Sequence, residues 1–223
     1  TIIYQIVGYS TKALSLLNEG DEITDFVGPL GEPTKLHASK HVIGVAGGVG
    51  SAPLYPQLRA LAQMGVEVDV IIGGREAQYV LWADEFRKFC KNVYITTDDG
   101  SLGRKGFVTQ VLADLIEQGE EIDEVIAIGP VPMMKAVVNV TKPKNIKTSV
   151  SLNPIMIDGT GMCGCCRVSV DGKIKFACVD GPDFDGLQVD FDELIARQRM
   201  FKEEEHTVSE NANRMCNLMG GVK

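Results

Sequence analysis

The sequence predicts an α/β fold: a doubly wound parallel sheet through the middle of the chain, with a small β-hairpin unit behind it. Three observations carry this reading. Apolar runs of strand length alternate with stretches of helical periodicity from His41 to Leu152. Glycine-rich turns follow those runs. Four of the six cysteines then crowd between Cys163 and Cys178, around a two-residue turn.

Taken in order, His41 to Ala46 is a short apolar run ending in glycines, and Ser51 to Met64 repeats Leu54, Leu58, Leu61 and Ala62 at helical spacing. Val66 to Ile72 is continuously β-rich, as a strand buried on both faces should be. A helix around Ala83 to Phe89, a strand over Asn92 to Thr97 and a helix over Gly106 to Gln118 follow, the last with Val108, Val111, Leu112 and Leu115 on one face. Glu124 to Ile128 reads as a strand, Val131 to Val140 as a helix and Lys147 to Leu152 as a last strand. This rhythm implies right-handed crossovers between parallel strands.

Composition bounds the function. With 44% hydrophobic and 23% charged residues over 223 positions, the chain has the make-up of a globular protein. Its net charge of −8 argues against nucleic acid as a partner. No apolar run is long enough for a membrane helix and no secretory signal pattern is found, so the expected compartment is reducing cytoplasm, with no membrane role.

In such a compartment the crowded cysteines point to metal rather than disulfides. Val168 and Val170 alternate with polar residues, Asp171-Gly172 forms the turn, and Ile174 and Phe176 continue on the return strand. Pairing 170 with 173 sets 166 opposite 177 and brings Cys178 beside Cys166. Gly159, Gly161 and Gly164 allow the left-handed backbone that a loop around a small inorganic core needs. Plant-type [2Fe–2S] spacing is C-x4-C-x2-C…C. With Asp158 first, this segment reads D-x4-C-x2-C-x11-C, giving Asp158, Cys163, Cys166 and Cys178 as ligands, the carboxylate replacing one thiolate. Zinc remains an alternative, although only one C-x-x-C pair is present, as does a non-metal role. Cys165 is expected to face away, Cys90 to be a buried thiol and Cys216 a tail thiol.

Ligands of doubly wound sheets bind at the carboxyl ends of the strands. Candidates there are Gly47, Gly48, Val49, Gly50 and Pro53 after the first strand, where glycines let a pyrophosphate approach the backbone. Gly74 and Arg75 follow the second strand, Asp98 and Gly100 the third, and Gly129, Pro130 and Met133 the fourth. Arg75 would meet a ribose or its phosphate. Of Met133 and Met134, one is expected to pack in the core and the other to lie beside a flat ring. The first turn is not G-x-G-x-x-G, so the generic dinucleotide fingerprint is not met.

The succession Gly47-Gly48-Val49-Gly50-x-Ala52-Pro53, Asp98-Asp99-Gly100-Ser101, Gly129-Pro130-x-x-Met133-Met134 and then the cysteine segment resembles the ferredoxin–NADP⁺ reductase superfamily. It is most similar to the [2Fe–2S]-containing branch, which holds the electron-transfer subunits of type-B dihydroorotate dehydrogenases and the small subunits of NADH-dependent ferredoxin:NADP⁺ oxidoreductases. Ser151 to Gly164 and Phe176 to Pro182 look like the second group, which has an aspartate at the Asp158 position where the first has cysteine.

The resemblance implies an oxidoreductase subunit that passes electrons between NAD(P)H, FAD and a [2Fe–2S] cluster. It implies NADH as the favoured nucleotide, although Arg75 would suit a 2′-phosphate. It also implies a larger subunit carrying flavin and [4Fe–4S] clusters as partner, and ferredoxin reached through that complex. No acid–base triad is expected, and the chain has only three histidines.

It further implies a flavin-binding antiparallel β-barrel before the sheet, of which this chain is expected to hold only a part. Thr1 to Val7 and Glu22 to Val27 would be barrel strands, with a helix over Ala13 to Leu17 between them. Gly8, Ser10 and Thr11 would form the FAD diphosphate loop, and Gly28 would open the closing turn. The family's flavin-contacting Arg-x-Tyr/Phe-Ser/Thr stretch is not found, so roughly sixty further barrel residues are expected upstream. The expected divisions are a partial barrel over 1–38, a nucleotide domain over 39–152, a cluster domain over 153–186, and a helix and tail over 187–223. The helix is expected from Asp192 to Glu205, with Asp190 and Glu193 in capping-box spacing, and His206 to Lys223 as a flexible or partner-binding arm.

Overall fold

The computed structural model describes residues 2–218, and side chains as far as residue 211. In chain order the elements are α1 (Tyr9–Leu14), β1 (His41–Gly47), α2 (Ser51–Gln63), β2 (Glu67–Gly74), α3 (Ala83–Phe86), β3 (Asn92–Thr97), β4 (Arg104–Lys105) and α4 (Val108–Glu117). Then follow β5 (Glu124–Ile128), α5 (Val131–Thr141), β6 (Lys147–Ser151), β7 (Arg167–Val170), β8 (Lys173–Phe176), α6 (Ala177–Asp180), β9 (Asp183–Asp185), α7 (Phe191–Arg197) and α8 (Lys202–Leu218).

Among the described residues seven strands form one sheet in the order β4-β3-β2-β1-β5-β6-β9, all parallel except β9, which pairs antiparallel with β6. Both faces are apolar, as parallel strands covered by helices require. Along β1, Ile43 and Val45 face one core while Val42 and Ala46 face the other. Leu54, Leu58 and Leu61 of α2 and Phe86 of α3 pack on the second face. Val108 and Leu112 of α4 and Met134 and Val137 of α5 pack on the first. The chain therefore builds outward from β1 with helices on one face, then crosses over and builds the other way with helices on the opposite face. The reversal falls between β1 and β5.

Local packing explains two small residues. A side chain at Gly44 would collide with Leu54 and Leu58, so glycine there lets α2 lie close to β1. Cys90 is buried at the rim of the α2 face, and burial pushes its thiol up to about 12, as an inert packing group.

Three expectations differ from the structure. No residue from 2 to 40 forms a strand: Ile2 to Val7 and Glu22 to Val27 are exposed and unladdered, and the helix forms earlier, over Tyr9–Leu14. A strand exists only where a neighbour takes its backbone hydrogen bonds, and among the described residues none does so here. The C-terminal helix is interrupted at residues 198–201, and the supposed tail continues as α8 to Leu218. That stretch has no glycine or proline and carries Glu203, Glu204 and Glu205 in its first turn, where the helix dipole favours them. The helix after β2 is shorter than expected, ending at Phe86. The Cys216 side chain and Gly220-Gly221 lie outside the described residues.

Replacing Gly44 with valine should overpack the α2–β1 contact and cost about 1–3 kcal/mol of stability, read as a lower urea midpoint at unchanged slope.

Candidate functional site

Two features stand out. The first is the carboxyl edge of the sheet at its reversal point. A Cβ at Gly50 would overlap the carbonyl oxygen of Ile128, and one at Gly47 would come 2.6 Å from Met133 Sδ and 2.8 Å from Pro130 Cδ. A Cβ at Gly129 would lie 3.0 Å from the Gly47 nitrogen. So the turn after β1 and the end of β5 touch backbone to backbone at Gly50 and Gly129, while Gly47 leaves room for the Met133 and Pro130 side chains. Gly48 differs: it adopts φ +55° and a Cβ there meets nothing within 4 Å. Its freedom serves open space above the edge rather than packing. Val49 is half-buried and Pro53 exposed on the first turn of α2. Met134 is fully buried in the core, while Met133 is half-buried against Gly47 and Gly129.

The neighbouring loops are stitched to this edge. Asp98 N–H donates to the Gly74 carbonyl at 3.1 Å and Asp99 N–H to the Arg75 carbonyl at 3.3 Å. Ala77 N–H donates to Ser101 Oγ at 2.8 Å. Asp99 accepts from Ser101 N–H and its hydroxyl, and the first of these chiefly holds its carboxyl below the ordinary range. Arg75, Asp98 and Gly100 are exposed along this rim. Sequence reasoning did not single out Ser51, the first residue of α2, whose hydroxyl is buried without a hydrogen-bond partner. The cavity of about 280 Å³ beneath residues 32–37 is lined by Glu124, Lys147 and Asp183, off this edge.

The second feature is the cysteine loop. β7 and β8 pair Val170 with Lys173 and Arg167 with Phe176, and Asp171 and Gly172 both take positive φ, as a type I′ turn requires. Ala177 N–H then donates to the Cys166 carbonyl at 3.1 Å, so Cys178 returns beside Cys166 with the two Sγ atoms 3.2 Å apart. Both are buried. Burial first, and then Cys166, push the Cys178 thiol up, while Gly161 N–H opposes them. Asp158 accepts from Thr160 N–H at 3.0 Å and from Cys163 N–H at 3.1 Å. The Thr160 N–H chiefly, with Cys163, holds its carboxyl low. Cys163 is exposed and accepts from Cys165 N–H at 3.4 Å.

Among the described residues no three metal-binding side chains gather as they would around a single ion. They form two neighbouring pairs instead, Cys166 with Cys178 and Asp158 with Cys163. A two-iron core, in which each iron takes two protein ligands, fits that arrangement better than one zinc ion does. Gly8, Ser10 and Thr11 lie at the head of α1, where Thr11 Oγ1 accepts from Gly8 N–H at 3.0 Å, and α1 rests against α8. The turn after Gly28 reaches the cysteine loop: Glu32 N–H donates to the Gly181 carbonyl at 2.7 Å.

Residues 45–139 match the oxidoreductase NAD-binding domain family. Residues 153–190 match the iron–sulfur cluster binding domain of dihydroorotate dehydrogenase B. A Thermotoga maritima protein named as a homologue of the dihydroorotate dehydrogenase B electron transfer subunit is 46% identical, over 92% of this chain and 72% of its own length. The chain belongs to the iron–sulfur branch of the ferredoxin–NADP⁺ reductase superfamily. An uncharacterized protein of Clostridium beijerinckii is 50% identical over the same shares. The solved structure of an NADH-dependent reduced ferredoxin–NADP oxidoreductase, described for flavin-based electron bifurcation, is 44% identical with a TM-score of 0.87, over 94% of this chain and 75% of that one. The chain is thus an oxidoreductase subunit of a superfamily that works with NAD(P)H, FAD and a [2Fe–2S] cluster. Among the described residues no helix is long and apolar enough to cross a membrane.

Replacing Gly48 with valine should abolish nucleotide binding by isothermal calorimetry while leaving the circular dichroism spectrum native, at a stability cost of about 1–2 kcal/mol for the left-handed backbone. Undiminished affinity would remove this turn from the site.

Proposed function

We propose that the chain carries electrons between NADH and a partner protein as the small subunit of an NADH-dependent ferredoxin:NADP⁺ oxidoreductase. The observation that carries this choice is Asp158. It stands where an all-cysteine motif has a thiolate, and its carboxylate is already drawn to the backbone of Cys163. A second reading, the electron-transfer subunit of a type-B dihydroorotate dehydrogenase, is favoured by the family matched at residues 153–190 and by relatives so named.

In this reading Asp158, Cys163, Cys166 and Cys178 hold the [2Fe–2S] cluster. Gly48 opens the backbone to the nucleotide's pyrophosphate with Val49 and Pro53 beside it, while Gly47 and Gly50 hold the turn against β5. Gly74, Arg75, Asp98 and Gly100 line its adenosine side, and Gly129, Pro130 and Met133 its nicotinamide side. Gly8, Ser10, Thr11 and Gly28 are assigned to FAD on the family resemblance. When bound, the flavin accepts two electrons and releases them singly, and the cluster carries one at a time. The protein's own work is to orient. The backbone contacts of Gly47, Gly50 and Gly129 fix the nucleotide edge, and the β7–β8 register fixes the thiolates. Hydride and electron transfer between bound cofactors asks no side chain of this chain to move a proton. The larger partner is a flavin and [4Fe–4S] subunit, with ferredoxin served through that complex in the cytoplasm.

Anaerobically purified protein should contain about two irons and two acid-labile sulfides per chain; zinc without sulfide would overturn the redox reading. Asp158→Cys should retain the cluster but shift its visible spectrum and midpoint potential. Identical values before and after substitution would remove Asp158 from the ligand set.

A further inference from the structure

Arg197 ends α7, and its Nη2 donates to the carbonyl oxygen of Cys165 at 3.1 Å. The next residue, Gln198, donates from Nε2 to the Asn153 carbonyl at 2.9 Å. The end of α7 therefore grips the cysteine segment twice: just beyond β6, and between Cys163 and Cys166. Other cations near the loop are matched by carboxylates. Arg167 lies 3.8 Å from Glu193, and Lys175 lies 3.1 Å from Asp180. Arg197 is half-buried, its Nε is buried without a hydrogen-bond partner, and among the described residues no carboxylate lies within ion-pair distance of it. A guanidinium stays protonated in proteins, so the charge is permanent, and partial burial leaves it less screened than a surface charge.

We propose that Arg197 is a positioning residue that sets the redox poise of the cysteine loop, by holding a positive charge that has no ion-pair partner among the described residues one hydrogen bond from the backbone between Cys163 and Cys166. The inference rests on the [2Fe–2S] reading of that loop. Reduction adds one electron and no atom, so the centre becomes one unit more negative. A fixed cation beside it stabilises the reduced form more than the oxidised form and raises the midpoint potential. Arg167 contributes less, because Glu193 offsets it.

The test is a mediated dithionite titration of the cluster-loaded full chain, with iron and sulfide counted in the same samples. Arg197→Gln should keep the cluster and make its reduction about tenfold less favourable, which is about 59 mV for one electron. Arg197→Lys, which keeps the charge, should move less than half as far. Arg199→Gln, which removes an exposed charge two residues on, should not move. An unchanged potential in Arg197→Gln, or an equal fall in Arg199→Gln, overturns the proposal. If Arg197→Gln takes up no cluster, Arg197→Lys decides: a potential near that of the unsubstituted chain supports the proposal, and a full tenfold fall overturns it. An unsubstituted chain without iron and sulfide would overturn the [2Fe–2S] reading itself, and this proposal with it.

Discussion

The carboxyl edge depends on one close approach, that of the turn after β1 to the end of β5. Gly50 lies so near the Ile128 carbonyl that any side chain would force the two strands apart. Gly47 and Gly129 face each other under Met133, whose side chain fills the space a Cβ on either would need. Because this contact joins the first strand of one half of the sheet to the first strand of the other, it also fixes where the chain changes direction. The crevice of a doubly wound sheet opens at that reversal. Packing and access are thus divided among neighbouring glycines: Gly47 and Gly50 are needed by the fold, and Gly48 leaves room above it.

The cysteine loop solves a different problem with the same economy. Its small core of Cys166, Ala177 and Cys178, with Phe176 and Phe184 against it, could not hold four side chains in register by apolar packing alone. The hairpin turn sets the register, and the antiparallel pairing of β9 with β6 ties the segment back to the main sheet. Leu152 N–H donating to the Pro182 carbonyl at 2.9 Å closes the same junction.

Much of this was legible in the sequence, because it depends on local rules. Strand and helix alternation gave the sheet, and Asp171-Gly172 fixed a register that the structure reproduces pair for pair. Asp190 caps α7 through Glu193 N–H at 2.9 Å, as its spacing indicated. What escaped depends on partners distant in sequence. The expected barrel strands had no neighbours to pair with. β9 is a three-residue strand, recognisable only by its partner β6. The grip of Arg197 on the Cys165 carbonyl spans thirty-two positions and leaves no pattern in the sequence. His41 likewise looks like any histidine until the fold sets it between Asp69 Oδ2 at 3.2 Å and the Glu121 carbonyl at 3.1 Å.

That last contact bears on the chemistry. His41 is buried at the start of β1, at the opposite end of the strand from the glycine turn, and both its ring nitrogens are engaged. It ties the start of β1 to β2 and to the loop before β5. His37 lies on the exposed linker and His206 pairs with Glu210 on α8. A subunit that moves electrons needs fixed separations more than titrating groups, and the structure supplies them through backbone. The turn around Leu30 seats on the cysteine loop, where a Cβ on Gly159 would come 2.8 Å from Leu30 Cδ1 and one on Gly31 would overlap the Gly181 carbonyl. The N-terminal segment is thus seated on the cysteine segment at two points. Sliding this turn along the cysteine segment would break the Glu32–Gly181 backbone hydrogen bond.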